Sequence, residues 1–160
     1  MIKIRKMLSE DRETVYQIIT RTKMFTEAEV SVAMELIDIY LTHKQQKDYI
    51  IYIAEDERKE VVGYICYGPT PATEGTFDLY WIAVSPVVQQ QGVGKKLLTF
   101  TEQEIVRHNG RMIIIETSSQ PKYKPTQDFY IRNHYQIEAQ IKDFYRIGDD
   151  RLIFVKRLTE

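Results

Sequence analysis

The sequence predicts an α/β (α+β) fold, a mixed but mostly antiparallel central sheet of about seven strands flanked by helices. Three observations carry that prediction. Short apolar or alternating runs rich in β-branched and aromatic residues recur at 2–7, 49–54, 61–67, 77–84, 112–115, 135–145 and 152–158, most of them bounded by turn residues. Apolar residues at helical spacing fill the intervals 11–23, 26–41, 93–108 and 126–131. The order strand, helix, strand over 77–115 makes a βαβ unit, whose two strands pair in parallel, whereas a polar tip at 55–60 closes an antiparallel hairpin.

Each element has its own local reason. Ile2 and Ile4 alternate with Lys3 and Arg5 in a half-buried first strand, after which Ser9 is placed to cap a helix carrying Val15, Ile18 and Ile19. Glu10, Asp11 and Glu13 fall in its first turn, where the helix dipole favours them. Thr26 and Glu29 form a capping box ahead of a second helix through Leu41. The strands 49–54, 61–67 and 77–84 read as an antiparallel meander, with the turn-rich 68–75 between the last two. The third helix ends at Asn109-Gly110, and the continuous apolar run 112–115 predicts a strand buried on both faces. A short fourth helix starts at Thr126, and two final strands are joined by the turn 147–150.

Composition narrows the function. A chain of 160 residues suits a single domain, taken here as 1–160, with one core and no need of disulfides or metal. The net charge of −1 gives no overall basic field for nucleic acid or an anionic membrane, so any phosphate site must be local. Cys66 is the single cysteine and lies in an apolar run, which reads as a small buried hydrophobe in a reducing compartment. The first residues lack the apolar core of a signal peptide, and no apolar run approaches the ~20 residues of a membrane helix, so the expectation is a cytoplasmic protein. His43, His108 and His134 have no ligand spacing, and no metal site is assigned.

The stretch 76–98 carries the chemistry. A strand ending Ile82-Ala83-Val84-Ser85-Pro86 runs into Gln89-Gln90-Gln91-Gly92-Val93-Gly94-Lys95, and helical spacing begins at Lys95. A helix that opens on a glycine turn presents unpaired N–H groups and the positive end of its dipole, together a site for phosphate. A nucleotide P-loop would need glycine where Gln89 stands and a hydroxyl where Lys96 stands; a dinucleotide fingerprint would need a third glycine where Leu97 stands. What remains is Gln-x-x-Gly-x-Gly after Ile-Ala-Val and a Ser-Pro turn, which resembles the acetyl-CoA-binding motif of the GNAT superfamily of N-acetyltransferases.

That resemblance implies an enzyme using acetyl-CoA as cosubstrate and an amine, of a small molecule or a protein, as acceptor, with direct transfer and no metal. It implies that backbone groups of Ile82, Ala83 and Val84 hold the pantetheine arm and polarise the acetyl carbonyl. It implies that Gln89, Gln90, Gln91, Gly92, Val93, Gly94 and Lys95 form the pyrophosphate loop, and that the two helices after the first strand shape the acceptor site. A homodimer is compatible with it. The segment from Phe129 to Tyr135 resembles the family signature Phe-Tyr-x-x-x-Gly-Phe, which makes Tyr130 the candidate acid beside the CoA sulfur, with His134 in place of the glycine. Tyr130 also reads as a core aromatic.

A lysine-like amine with pKa ~10.4 costs about 4.6 kcal/mol to deprotonate at pH 7, so a base matters most for such acceptors. Asp78, six residues before Val84, matches a position from which family members supply a glutamate base, and Glu116 ends the second strand of the βαβ unit at a place that some amine-terminus acetyltransferases use. Either could act through a water, and each equally reads as a strand-end charge. Tyr64, Tyr67, Tyr80 and Tyr123 either line an aromatic pocket or serve the core. A different class, a non-catalytic acyl-CoA-binding regulatory module, is the alternative.

Overall fold

The computed structural model describes residues 1–88 and 91–158. Seven strands form one sheet: β1 (Lys3–Lys6), β2 (Ile50–Glu55), β3 (Val61–Pro69), β4 (Thr76–Val84), β5 (Met112–Ser118), β6 (Gln136–Arg146) and β7 (Asp149–Arg157). Their order across the sheet is β1-β2-β3-β4-β5-β7-β6. The β4–β5 pair is parallel and all other neighbours are antiparallel, as the meander and the βαβ unit predict. Four helices flank it: α1 (Arg12–Arg21), α2 (Glu27–Thr42), α3 (Val93–Arg107) and α4 (Lys124–Arg132). None of them is long and apolar enough to cross a membrane.

Two apolar cores lie on opposite faces of the sheet. Val15, Ile18 and Ile19 of α1 and Ala33 and Ile37 of α2 cover Ile51, Ile53, Tyr64 and Cys66. Leu97, Leu98 and Ile105 of α3 and Tyr130 of α4 cover Ile65, Leu79, Ile113 and Phe154. Burial pushes the Cys66 thiol up, which leaves it protonated and inert at neutral pH.

Local chemistry sets the element ends. The capping box before α2 is formed: the Thr26 hydroxyl accepts from the Glu29 amide at 3.1 Å, and the Glu29 carboxylate accepts from the Thr26 amide at 2.9 Å. Ser9 does not cap α1. It opens a 3-10 turn, Ser9–Asp11, and the Asp11 carboxylate accepts from the Leu8 amide at 2.8 Å. At the end of α3 the left-handed residue is Asn109 (φ 63), and the Gly110 amide closes on Ile105 O at 2.8 Å.

Strand β5 departs from its expected double burial. Of the run 112–115, Ile113 and Ile115 are buried, whereas Met112 and Ile114 are half-buried, and Glu116 beyond it is exposed. The reason is coverage: α3 and α4 close one face of β5, and no β5 residue belongs to the core under α1 and α2.

Two irregularities position the site. Between β3 and β4 the register slips, Cys66 facing Trp81 and Tyr67 facing Leu79, so Tyr80 is a bulge residue. Tyr80 and Trp81 then point to the α1/α2 face in succession, and the strand past them resumes alternation. Pairing between β4 and β5 spans three residue pairs, Thr76 to Asp78 with Met112 to Ile114. Beyond them the two strands no longer pair, and the end of β4 borders an open cleft.

Candidate active site

The end of β4, the start of α3 and α4 enclose a cleft of about 880 Å³. One wall is Ile82, Ala83 and Val84, the last residues of β4. The opposite rim is Gly92, Val93, Gly94 and Lys95, where α3 begins. The floor includes Phe129 and Tyr130 from α4, and Met24 and Phe25 close the mouth from the connection between α1 and α2.

The glycine turn has the geometry its sequence demands. Gly92 is the N-cap of α3 at φ 80, a left-handed conformation that a side chain disfavours by about 1–2 kcal/mol. The first intrahelical bond is donated by the Lys96 amide to Gly92 O at 3.0 Å, so the amides of Val93, Gly94 and Lys95 lie ahead of the ladder and are available to an anion. A Cβ placed on Gly94 would stand 3.5 Å from the Phe129 ring and 3.7 Å from Val84, ordinary contact distances across the width of the cleft. An oxygen-rich anion therefore fits the rim by backbone donors, and an apolar arm fits the strand side.

Tyr130 is fixed by its neighbours. Its ring meets Phe129 at 5.4 Å, Tyr135 at 5.7 Å and Phe154 at 5.8 Å. Its hydroxyl has no hydrogen-bond partner among the described residues, and the side chain is 5% exposed and borders the cleft. Burial pushes its pKa up, so it holds its proton throughout the neutral range. The chain leaves α4 through His134 at φ 72, and the Tyr135 amide returns to Tyr130 O at 3.0 Å. A histidine thus adopts the left-handed turn for which the signature uses glycine.

The structure gathers eight of the residues singled out from the sequence, Ile82, Ala83, Val84, Gly92, Val93, Gly94, Lys95 and Tyr130, around one cleft. Gln91 is exposed beside it, outside the lining. Gln89 and Gln90 lie outside the described residues. The two carboxylates also stand apart from the lining. Asp78 sits at the last β4–β5 pair and accepts the Thr70 hydroxyl at 2.8 Å. Glu116, past the point where the strands part, is in an ion pair with Arg151, whose guanidinium lies 4.7 Å above the Phe144 ring.

The four tyrosines weighed as pocket lining go elsewhere. Tyr64 is in the α1/α2 core and Tyr67 in the α3 core. Tyr80 meets Tyr49 edge-on at 5.7 Å, and burial, with the nearby Asp78 charge, pushes it up to about 12. Tyr123 donates to Met24 O at 3.1 Å and so ties the α1–α2 connection to the start of α4. The mouth residues Met24 and Phe25 were not legible singly, because their role arises from tertiary contact. Phe25 reaches the cleft by packing on Trp81 at 5.5 Å, across more than fifty residues of sequence.

The comparisons agree with this geometry. The family model of the acetyltransferase (GNAT) domain matches residues 47–137. A crystal structure from Desulfovibrio desulfuricans, described as a GNAT-family acetyltransferase, is 41% identical with a TM-score of 0.95, covering 99% of this chain and 100% of that one. The S-(2-succino)cysteine N-acetyltransferase of Bacillus subtilis (strain 168) is 24% identical over 101 residues, 61% of this chain and 61% of that relative. An aminoglycoside 6'-N-acetyltransferase crystallised with coenzyme A shares the fold at TM-score 0.75 and 15% identity, covering 99% and 98% of the two chains. By the extent of the family match and the likeness to the Desulfovibrio protein, the chain belongs to the GNAT family of acetyltransferases.

Proposed function

We propose that residues 1–160 form one N-acetyltransferase domain that moves an acetyl group directly from acetyl-CoA to a primary amine, in the cytoplasm. The observation that carries this reading is the single cleft shared by the end of β4, the exposed amides opening α3 and the buried hydroxyl of Tyr130. Acetyl-CoA, when bound, supplies a thioester whose acetyl carbon accepts the amine.

The chain's own residues do the rest. Amides of Val93, Gly94 and Lys95, with those of the preceding glutamines, hold the pyrophosphate without a metal. Backbone groups of Ile82, Ala83 and Val84 orient the pantetheine arm and polarise the acetyl carbonyl. Tyr130 keeps a proton at Oη for the departing sulfur, and its raised pKa supports that protonated state. Glu116 or Asp78 takes the proton of the acceptor amine through a water, since neither lines the cleft. Phe25, held from behind by Trp81, gives the acceptor an aromatic contact at the mouth. The relative from Bacillus, which acts on an amine of a cysteine derivative, supports a small-molecule acceptor at the level of its name.

A thermal melt with acetyl-CoA, NAD and ATP tests the reading, followed by thiol release across an amine panel. At ~100 times its dissociation constant a ligand adds about 2.7 kcal/mol, a rise on the order of 5–10 °C for a domain of this size. A rise with acetyl-CoA alone, and thiol release with at least one amine, is the expected result. No rise with acetyl-CoA overturns the cleft assignment.

A further inference from the structure

A second cavity, of about 680 Å³, opens elsewhere on the molecule and shares no lining residue with the acetyltransferase cleft. Its walls are apolar and aromatic: Tyr40 and Leu41 from the last turns of α2, Ile50 at the start of β2, Tyr67 of β3, Phe77 of β4 and Ile105 of α3. That size and lining are those of a small-molecule site.

Its unpaired charges have one sign. Lys6, Lys44 and Lys47 stand at the mouth, exposed, and none of them forms an ion pair among the described residues. Glu104, the carboxylate in the wall, is already held by Arg107 at 2.8 Å. The mouth therefore carries uncompensated positive charge over an apolar interior.

The interior also offers a donor. Tyr67 is 3% exposed, and its ring is stacked on Tyr52 at 6.4 Å and tilted against Phe77 at the same separation. Its hydroxyl has no hydrogen-bond partner among the described residues and is not fully cut off from solvent, so it is free to donate to whatever occupies the cavity. Burial pushes Tyr67 up, with the neighbouring Tyr52 and Glu104 adding to it, so the hydroxyl remains a donor.

We propose that this cavity binds an aromatic carboxylate bearing an oxygen at the far end of its ring. The carboxylate meets Lys6, Lys44 and Lys47 at the mouth, the ring lies against Tyr40, Leu41 and Ile50, and the far oxygen accepts from Tyr67 Oη. The site is independent of the acetyl-transfer reading and stands without it.

Titration of ¹⁵N-labelled protein with 4-hydroxyphenylacetate, in the presence of saturating acetyl-CoA, tests the proposal. Amide signals of Ile50, Tyr67 and Ile105 should move while those of Gly92, Gly94 and Phe129 stay. Phenylacetate, lacking the far oxygen, should bind more weakly, and tyramine, with its charge inverted, should not bind. The exposed pair Lys44→Glu and Lys47→Glu should weaken binding about fivefold to tenfold. Tyr67→Phe should erase the preference over phenylacetate. Equal binding of tyramine, shifts confined to the first cleft, or no shift at about 10 mM ligand would each overturn it.

Discussion

Tyr130 gives the sharpest residue-level expectation. Removing its hydroxyl in Tyr130→Phe takes away a proton donor but none of the ring contacts with Phe129, Tyr135 and Phe154. Turnover should fall, by on the order of a hundredfold or less since a thiolate leaves readily, while acetyl-CoA affinity by calorimetry is unchanged. Because burial raises the Tyr130 pKa, its titration should produce no loss of rate between about pH 6 and pH 9. The carboxylates are tested together: if either serves as base, the double variant Asp78→Asn, Glu116→Gln should be slowed most with lysine-like acceptors, and wild-type rates would dismiss both. At this scale the sequence shows what is local. A tyrosine in a recognisable segment and a glycine pair after a strand were both visible. The partner of Glu116 was not, since Arg151 comes from a strand far along the chain. The left-handed turn at His134 was equally hidden, because histidine does not advertise a positive φ as glycine does.

Among the elements, the start of α3 carries most of the proposed function. The Gly92 turn frees the first amides, and Gly94 keeps a side chain out of the space between Val84 and Phe129. Gly94→Ala should therefore bind acetyl-CoA within a few-fold of wild type, because its methyl meets ordinary contact distances. Gly94→Trp should abolish binding, and the measurement is the thermal shift described above with the melt of the free variant as control. Element types were legible because periodicity and caps repeat within a few residues, as the Thr26–Glu29 box illustrates. Ser9 failed as a cap for an equally local reason, since the chain enters a 3-10 turn there and Asp11, held by Arg5, takes the Leu8 amide. For β5 the apolar run gave the strand but not its exposure, because which faces are covered depends on helices placed by the rest of the chain.

For the molecule as a whole, the Arg5 cluster joins the first strand, the second strand and the turn before α1. Arg5 donates to Asp11 at 2.8 and 3.0 Å and to Glu55 at 2.9 Å. Burial alone raises the Asp11 carboxyl, but hydrogen bonds from Arg5 and the Leu8 amide outweigh it and hold the group below its usual range. Its stabilising contribution is present above the unfolded value, about pH 4, and is lost as the pH falls through the lower folded value. Asp11→Asn should cost about 1–3 kcal/mol at pH 7 in denaturant melts and should flatten the acid limb of stability against pH. The meander, the crossover and the last hairpin were readable in the chain, whereas the pairing of β7 with β5 and the end of β4–β5 pairing after three residue pairs were not, because they depend on contacts distant in sequence. That short pairing has a mechanical consequence. With three residue pairs between them, β1 to β4 and β5 to β7 are two half-sheets on a short hinge of hydrogen bonds. Hydrogen exchange of the empty protein should show the halves opening as separate cooperative units, and acetyl-CoA, if it binds along the end of β4 as proposed, should fuse them into one. Exchange as a single unit without ligand would mean that the helices alone bind the halves together.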